Sequence, residues 1–410
     1  MKIQFRPAKH RPIRHRGIEL NYWMAIIGYF SLGTLAYTYL VFPLVTLLRG
    51  LIFKRTWTQD DSAPPVSLII VCHNEEYGSQ AKLENVACCN YPTNSLEIIV
   101  ASDGSDDRTA EIVKAFPDKR VKLFEMERRG KIPTLNHAVE HATGEILVFT
   151  DANSVLRDDA LRKLTRHFAD ENIGCVAGNQ VYVKDTRQLD EKTADRWEDG
   201  ETSYWNLDRM LKQAQTNAGN AIAATGALYA IRARLFQKVP EGVTDDFYIS
   251  TRSIQQGYQL IFDREAIAYE AVVKKSTVEL GRKVRIMTRG MRSLLFSLDL
   301  MNPFRYGFYA IQLISHKLLK RLCVLPLLVL IFMTPWLFQW NFFFKGLSFL
   351  IWGGLLMTLF SLATSRIWIG KTKPCRILSF FALVNFAALL AILNILSGKK
   401  IDMWQPTGNR

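Results

Sequence analysis

Residues 23–50, WMAIIGYFSLGTLAYTYLVFPLVTLLRG, carry no charge before Arg49. In water such a stretch would have to bury every face, whereas about 20 apolar residues in a helix cross the hydrocarbon of a bilayer. Three more apolar runs follow near 322–338, 346–364 and 377–396. These runs dictate a membrane protein with a soluble insert. The expected order is a basic tail over 1–22, a transmembrane helix at 23–50, a soluble domain over 57–300, an amphipathic membrane-surface segment at 301–321, three transmembrane helices within 322–396 and a tail at 397–410. The first run is too long and too deep in the chain for a signal peptide. Apolar then basic residues, Leu51 to Arg55, follow it instead of a small-residue cleavage site, so it reads as an anchor.

The net charge of +14 narrows the surroundings, because much of the excess lies beside these runs. Segment 281–321 carries Arg282, Lys283, Arg285, Arg289, Arg292, Arg305, Lys317, Lys320 and Arg321 against Asp299, and 365–376 adds Arg366, Lys371, Lys373 and Arg376. Anionic lipid and a cytoplasmic location account for such flanks, and a nucleic-acid role is not expected. The basic N-terminal tail prefers the same side, yet a single span separates it from the insert, a conflict the sequence leaves open. The six cysteines lie in or beside apolar segments without metal-ligand spacing, and Cys88 and Cys89 are too close to bridge comfortably, so buried reduced thiols are expected.

Within the insert, short β-rich runs alternate with helical stretches. Val66 to Cys72, Leu96 to Ala101, Val121 to Phe124 and Glu145 to Thr150 read as strands. Such alternation predicts an α/β domain, a mainly parallel sheet with helices on both faces, whose ligands gather beyond the carboxyl ends of the strands. The polar residues sit there: His73, Asn74, Glu75 and Glu76 after the first run, Asp103 to Asp107 after the second, Asp151 and Asn153 after the fourth. Each acid alone would serve equally as a turn or cap residue. Three strand ends agreeing points instead to a cluster that repels itself unless it holds a cation or the donors of a ribose and a base, and a hard divalent metal bridging a diphosphate meets that need.

A basic complement lies at 128–131, where Arg128, Arg129 and Lys131 surround Gly130 just before a helix, a placement suited to phosphate and equally to a solvated loop. His137, Glu140 and His141 form an H-x-x-E-H pattern, but no distinctive third-ligand segment accompanies it, and helix-surface histidines are the expectation. Further on, the small residues of 219–227 suggest backbone packed close to a ligand. Thr244, Asp245 and Asp246 then open a helix that ends at Gly257. An acid pair there suits a helix dipole as well as it suits a general base for a hydroxyl, and spacing does not choose between them.

The motifs PPVSLIIVCHNEE, ASDGSDDRT, GKIPTLNHAV, FTDANS, GALYAIR and TDDFYIS occur in the order found in membrane-anchored glycosyltransferases of family 2. That GT-A fold group includes synthases of cellulose, chitin and hyaluronan and many bacterial exopolysaccharide enzymes. The chain resembles the family over about 64–295, and the flanking spans and SHKLLKR at 315–321 extend the likeness. The resemblance implies that Glu75 and Asp103 hold the nucleotide base and ribose, that Lys131 lies near the diphosphate, and that Asp151 and Asn153 occupy the D-x-D place that contacts nucleotide and Mg2+ or Mn2+. Asn153 departs from the second acid: its carbonyl still ligates, with less charge. Asp246 matches the family's base, Asp245 replaces the preceding Glu, and Gly226 and Asp245 fall on the acceptor side.

The implied reaction is inverting transfer of a sugar from a nucleotide-sugar donor, expected to be UDP-linked, to a growing polysaccharide or lipid-linked acceptor. It would run on the cytoplasmic side of a bacterial inner membrane, with membrane lipids and export or synthase subunits as further partners. Where processive members carry Q-x-x-R-W, this chain has Arg282 for Gln, keeps Arg285, and has Ile286 for Trp. Arg285 is therefore expected at the diphosphate, a role that competes with that of a snorkelling membrane-surface residue. Single-sugar transfer to a polyprenyl phosphate is the close alternative. A non-catalytic nucleotide-binding subunit is the alternative from another class, disfavoured because binding alone needs no base at Asp246.

Overall fold

The computed structural model describes residues 13–183, 200–271, 276–364 and 372–399; the remainder of the expected N-terminal tail, most of the basic 365–376 loop and most of the C-terminal tail lie outside them. Eight strands form one sheet: β1 (Val66–Cys72), β2 (Leu96–Asp103), β3 (Val121–Met126), β4 (Ile146–Asp151), β5 (Val155–Leu156), β6 (Ile173–Val183), β7 (Tyr229–Arg232) and β8 (Gln259–Ala271). Their order is β3-β2-β1-β4-β7-β6-β8-β5.

The first half, β3-β2-β1-β4, is parallel throughout. In the second half β7 runs antiparallel to β4 and β6, β8 is parallel to β6, and β5 is antiparallel to β8. The sheet is thus parallel where the four motif-bearing strands lie and mixed beyond them. Side chains alternate across a strand, so β1 feeds two cores. Leu68 and Ile70 pack with Leu83 and Val86 of helix Glu76–Ala87 and with Leu161 and Leu164 of helix Ala160–Thr165. Ile69 and Val71 pack with Ile132 and Leu135 of helix Lys131–Glu140 and with Ile249 of helix Asp245–Gln255. The expected helices on both faces are these. Fully buried aliphatic side chains such as Leu68, Ile98 and Leu147 each contribute about 1.5–3 kcal/mol relative to exposure.

Among the described residues, three helices are long and apolar enough to cross a membrane: Tyr22–Ile52, Phe342–Ala363 and Lys373–Leu396. The first takes a π-helical turn over Tyr37–Val41, just before Pro43, whose missing N–H cannot close a regular turn. The run expected at 322–338 forms helix Val324–Leu337, which at 14 residues is about 21 Å long, short of the roughly 30 Å hydrocarbon core. It follows Phe308–Leu322 across a 46° bend, and the pair together passes as one broken span or a re-entrant loop. The segment expected at the membrane surface reaches into the domain: Tyr309 and Leu313 join the core that holds Ile69, and the Tyr309 hydroxyl donates to the Ile222 carbonyl at 2.9 Å.

Candidate active site

The strand ends converge as the parallel half of the sheet requires. After β1, Asn74 takes a positive φ of 52°, turning the chain so that its Oδ1 accepts from Asp106 N at 3.0 Å and its own N–H donates to Ser105 Oγ at 3.1 Å. Glu75 N donates to Thr109 Oγ1 at 2.8 Å, and these bonds knit the loops after β1 and β2 into one wall. Burial first, then the charges of Asp107 and Asp151, push the Glu75 carboxyl up to about 7.

Asp103 ends β2 fully buried. Its Oδ1 accepts from Arg129 N and Gly130 N, both at 2.9 Å, and from Thr134 Oγ1 at 3.2 Å. Gly130 sits at φ 98°, a left-handed conformation that a β-carbon would strain, and this presents both amides to one oxygen. Asp103 Oδ2 is buried without a hydrogen-bond partner among the described residues, an acceptor suited to a ligand N–H or O–H.

Lys131 begins the next helix and its Nζ lies 2.9 Å from Asp151 Oδ1 and 3.0 Å from Asp245 Oδ2. Burial alone would lower its pKa; the two carboxylates outweigh that and hold it well above the usual lysine value. The same ammonium, with Arg289, overcomes the burial that would raise Asp245 and holds that acid low. Asp246, next in the chain, is pushed up by burial and then by Asp245, and its Oδ1 accepts from Phe247 N at 2.7 Å. Gly226 leaves room beside Asp151: a β-carbon there would sit 2.8 Å from Asp151 Oδ2. Lys131, Asp151, Gly226, Tyr229 and Asp245 line one cleft.

Of the residues expected from the sequence, Lys131, Asp151, Gly226 and Asp245 meet directly in this cleft and Asp246 follows on the same helix turn, while Asp103 is tied to Gly130, next to Lys131, and Glu75 lies close enough to Asp151 to feel its charge. Arg285 lies in helix Ser276–Leu295 beside Arg282 and Arg289; burial and then these two cations lower its pKa, a charge surplus suited to a diphosphate. Asn153 is exposed, with its Nδ2 donating to Glu270 Oε1 at 3.1 Å. His137 meets the Phe124 ring edge-on and His141 meets it tilted, and among the described residues neither belongs to a metal-holding cluster.

Three residues escaped the sequence reading. Glu270 on β8 accepts from Asn153 and from Gln180, and burial and then Asp151 push its carboxyl up. Lys82, 4% exposed, donates to Thr150 Oγ1 at 3.0 Å and Ser154 O at 2.5 Å, pinning both ends of the Asp151 loop. Tyr229, fully buried and stacked on Phe149, lines the cleft, and among the described residues its hydroxyl has no hydrogen-bond partner. Only Glu270 left a signal, a lone acid in the apolar run 266–271.

The donor set fits a hard divalent cation. Among the described residues no three His, Cys, Asp or Glu side chains form a complete cage. Mg2+ and similar ions sit in nucleotide sites on one or two carboxylates and take their remaining oxygens from phosphates and water. Asp151, the Asn153 amide and the adjacent Glu270 match that pattern.

The model of the family described as "Glycosyltransferase like family 2" matches residues 64–293. The chain belongs to this family. Among curated family relatives, poly-beta-1,6-N-acetyl-D-glucosamine synthase of Staphylococcus epidermidis is 26% identical over 231 residues, 55% of this chain and 53% of that protein. Its counterpart in Staphylococcus aureus strain COL is 24% identical over 232 residues, 55% and 54% respectively. This chain therefore spans about half the length of these relatives. Among solved structures, a mannosyltransferase from Pyrobaculum calidifontis in complex with GDP-Man and Mn2+ superimposes with a TM-score of 0.66 at 22% identity, covering 91% of this chain and all of that one. The GT-A arrangement expected for a family 2 member is thereby borne out.

Proposed function

We propose that this protein is an inverting glycosyltransferase that moves a sugar from a nucleotide donor to a growing polysaccharide or lipid-linked acceptor at the membrane. The observation that carries this reading is the clamp of Lys131 on Asp151 and Asp245 with Asp246 beside it. It puts a poised carboxylate next to the residues that would hold a sugar diphosphate. A binding subunit has no use for such a base.

In this reading Glu75 and the unpartnered Asp103 Oδ2 take the hydrogen-bond donors of the base and ribose. Lys131 and Arg285 lie along the diphosphate. Asp151 and Asn153 would hold Mg2+ or Mn2+, which supplies charge to offset the departing nucleoside diphosphate. Asp246 takes the proton from an acceptor hydroxyl, and the freed oxygen attacks the anomeric carbon from the face opposite the leaving group, inverting it. The raised pKa of Asp246 makes it a stronger base once ionised. The poly-N-acetylglucosamine synthases among the relatives favour UDP-N-acetylglucosamine as the first donor to try, with GDP-mannose second.

The test is nucleoside diphosphate release and sugar transfer by the detergent-solubilised protein across a panel of nucleotide sugars with Mn2+ or Mg2+. Asp246→Asn should lower transfer by about 10²–10⁴-fold, the usual worth of a general base, while nucleotide binding persists. Unchanged transfer in that variant would overturn the assignment of the base.

A further inference from the structure

The family signature at 151–153 lacks its second acid, and the fold brings another to the same spot. Glu270 lies on β8 next to Tyr269, which pairs with Val155 at the start of β5; its Oε1 accepts from Asn153 Nδ2 at 3.1 Å, while Oε2 accepts from Gln180 Nε2. It is 9% exposed, and among the described residues no salt bridge reaches it. Arg282 is a basic residue close enough to lower this acid's pKa by its charge, and among the described residues its Nε is buried without a hydrogen-bond partner.

Two neutral amides are poor compensation for a buried carboxylate close to Asp151. A glutamine, with the Gln180 amide turned over to accept from it, would keep two hydrogen bonds without the desolvation of a charge. The position makes physical sense when a cation completes it. Resting on the reading of this cleft as a nucleotide-sugar site, we infer that Glu270 supplies the second negative charge of the divalent-cation site, relocated from position 153 to β8. Asn153 holds it in place. Asp151 and Glu270 together then give the charge that a D-x-D pair would give, with the amide of Asn153 between them.

The charge can be moved back, and this makes the inference testable without sugar transfer. Mn2+ binding in the presence of UDP is followed by the EPR signal of free Mn2+ for wild type, Glu270→Gln, Asn153→Asp and the double variant. Glu270→Gln should weaken Mn2+ about 10–100-fold, the range typical of losing such support. Asn153→Asp combined with Glu270→Gln should recover most of that loss, giving strong non-additivity.

Melting temperatures separate this from a merely structural role. Without metal, Glu270→Gln should melt no lower than wild type, since it relieves a buried charge, while the rise on adding Mn2+ and UDP shrinks. A drop in metal-free Tm with an unchanged rise, a variant that cannot fold, or additive Mn2+ effects in the double variant would overturn the inference. Failure of the wild type to bind Mn2+ would overturn it as well, yet leave the proposed transfer activity to its own assay.

Discussion

At the scale of single residues, the chemistry follows from acids forced into one another's company. Glu75 shows the consequence for pH. Its folded pKa is raised from 4.5 to about 7, so its contribution to stability is full below the unfolded value and is lost as pH rises through 7. Donor binding should run the other way, since an ionised Glu75 accepts from a base N–H: the donor KM should fall between pH 6 and 8. Glu75→Gln should flatten both the Tm slope and the KM slope, and a KM profile unaltered by the substitution would remove Glu75 from the donor site. The acids after β1, β2 and β4 were legible because a parallel sheet announces its functional edge in sequence, polar residues following apolar runs. Glu270 showed only as a lone acid in an apolar run, because the bond that gives it meaning spans 117 residues and depends on β5 pairing with β8. Lys82 was hidden for a different reason: on a helix a lysine reads as surface, and only tertiary packing turns it inward. Burial there pulls its pKa down to about 7. Its unfolded form keeps the proton to higher pH, so its burden on stability is relieved as pH rises from 7 toward 10. Removing the charge with Lys82→Met should therefore raise Tm more at pH 6 than at pH 9, provided the Thr150 and Ser154 contacts are not decisive; a uniformly lower Tm would show that they are.

At the scale of elements, β1 to β4 were readable as alternating short runs, whereas β6 and β8 were not. Both are long and interrupted by polar residues such as Asn179 and Asp263 whose partners lie at a distance, Asn179 Nδ2 donating to Arg264 O and Asp263 accepting from Arg166 and pairing with His167. The junction between anchor and domain was equally invisible. The end of helix Tyr22–Ile52 lies against helix Gly200–Ala218, where a β-carbon on Gly50 would fall 2.5 Å from Ala214 Cα. Asn217 Nδ2 donates to Gly50 O at 3.3 Å, Arg55 N donates to Asn217 O at 2.9 Å, and the Arg49 guanidinium sits 3.7 Å from the Phe308 ring centroid. Backbone lies on both sides, so Gly50→Leu must part the two helices at a cost of about 1–3 kcal/mol. A lower melting temperature in detergent with normal nucleotide affinity is the expected outcome. A melt equal to wild type would mean that the anchor does not brace the domain.

At the scale of the whole molecule, the sequence foretold an α/β fold accompanied by apolar helices, and the structure adds how closely the segment 308–313 is tied to the sheet's core through Tyr309 and Leu313. We propose that the domain faces the cytoplasm, as the basic flanks direct. Cys88 is the exposed thiol among the described residues and lies in the domain, while Cys375 is half-buried at the start of a membrane helix. In a Cys375→Ser background, a membrane-impermeant maleimide should label inside-out vesicles and spare right-side-out ones; the reverse would place the domain outside. The change of strand direction at β4 and β7 has a bearing on how such enzymes diversify. Glu75, Asp103 and Asp151 follow strands of the parallel half, Asp245 and Asp246 open a helix on the mixed half, Glu270 and Arg285 come to the donor side from that mixed half, and Lys131 bonds across the seam to Asp245. A change of donor sugar must therefore be met by loops of both halves, with the Lys131–Asp245 pair as their shared joint.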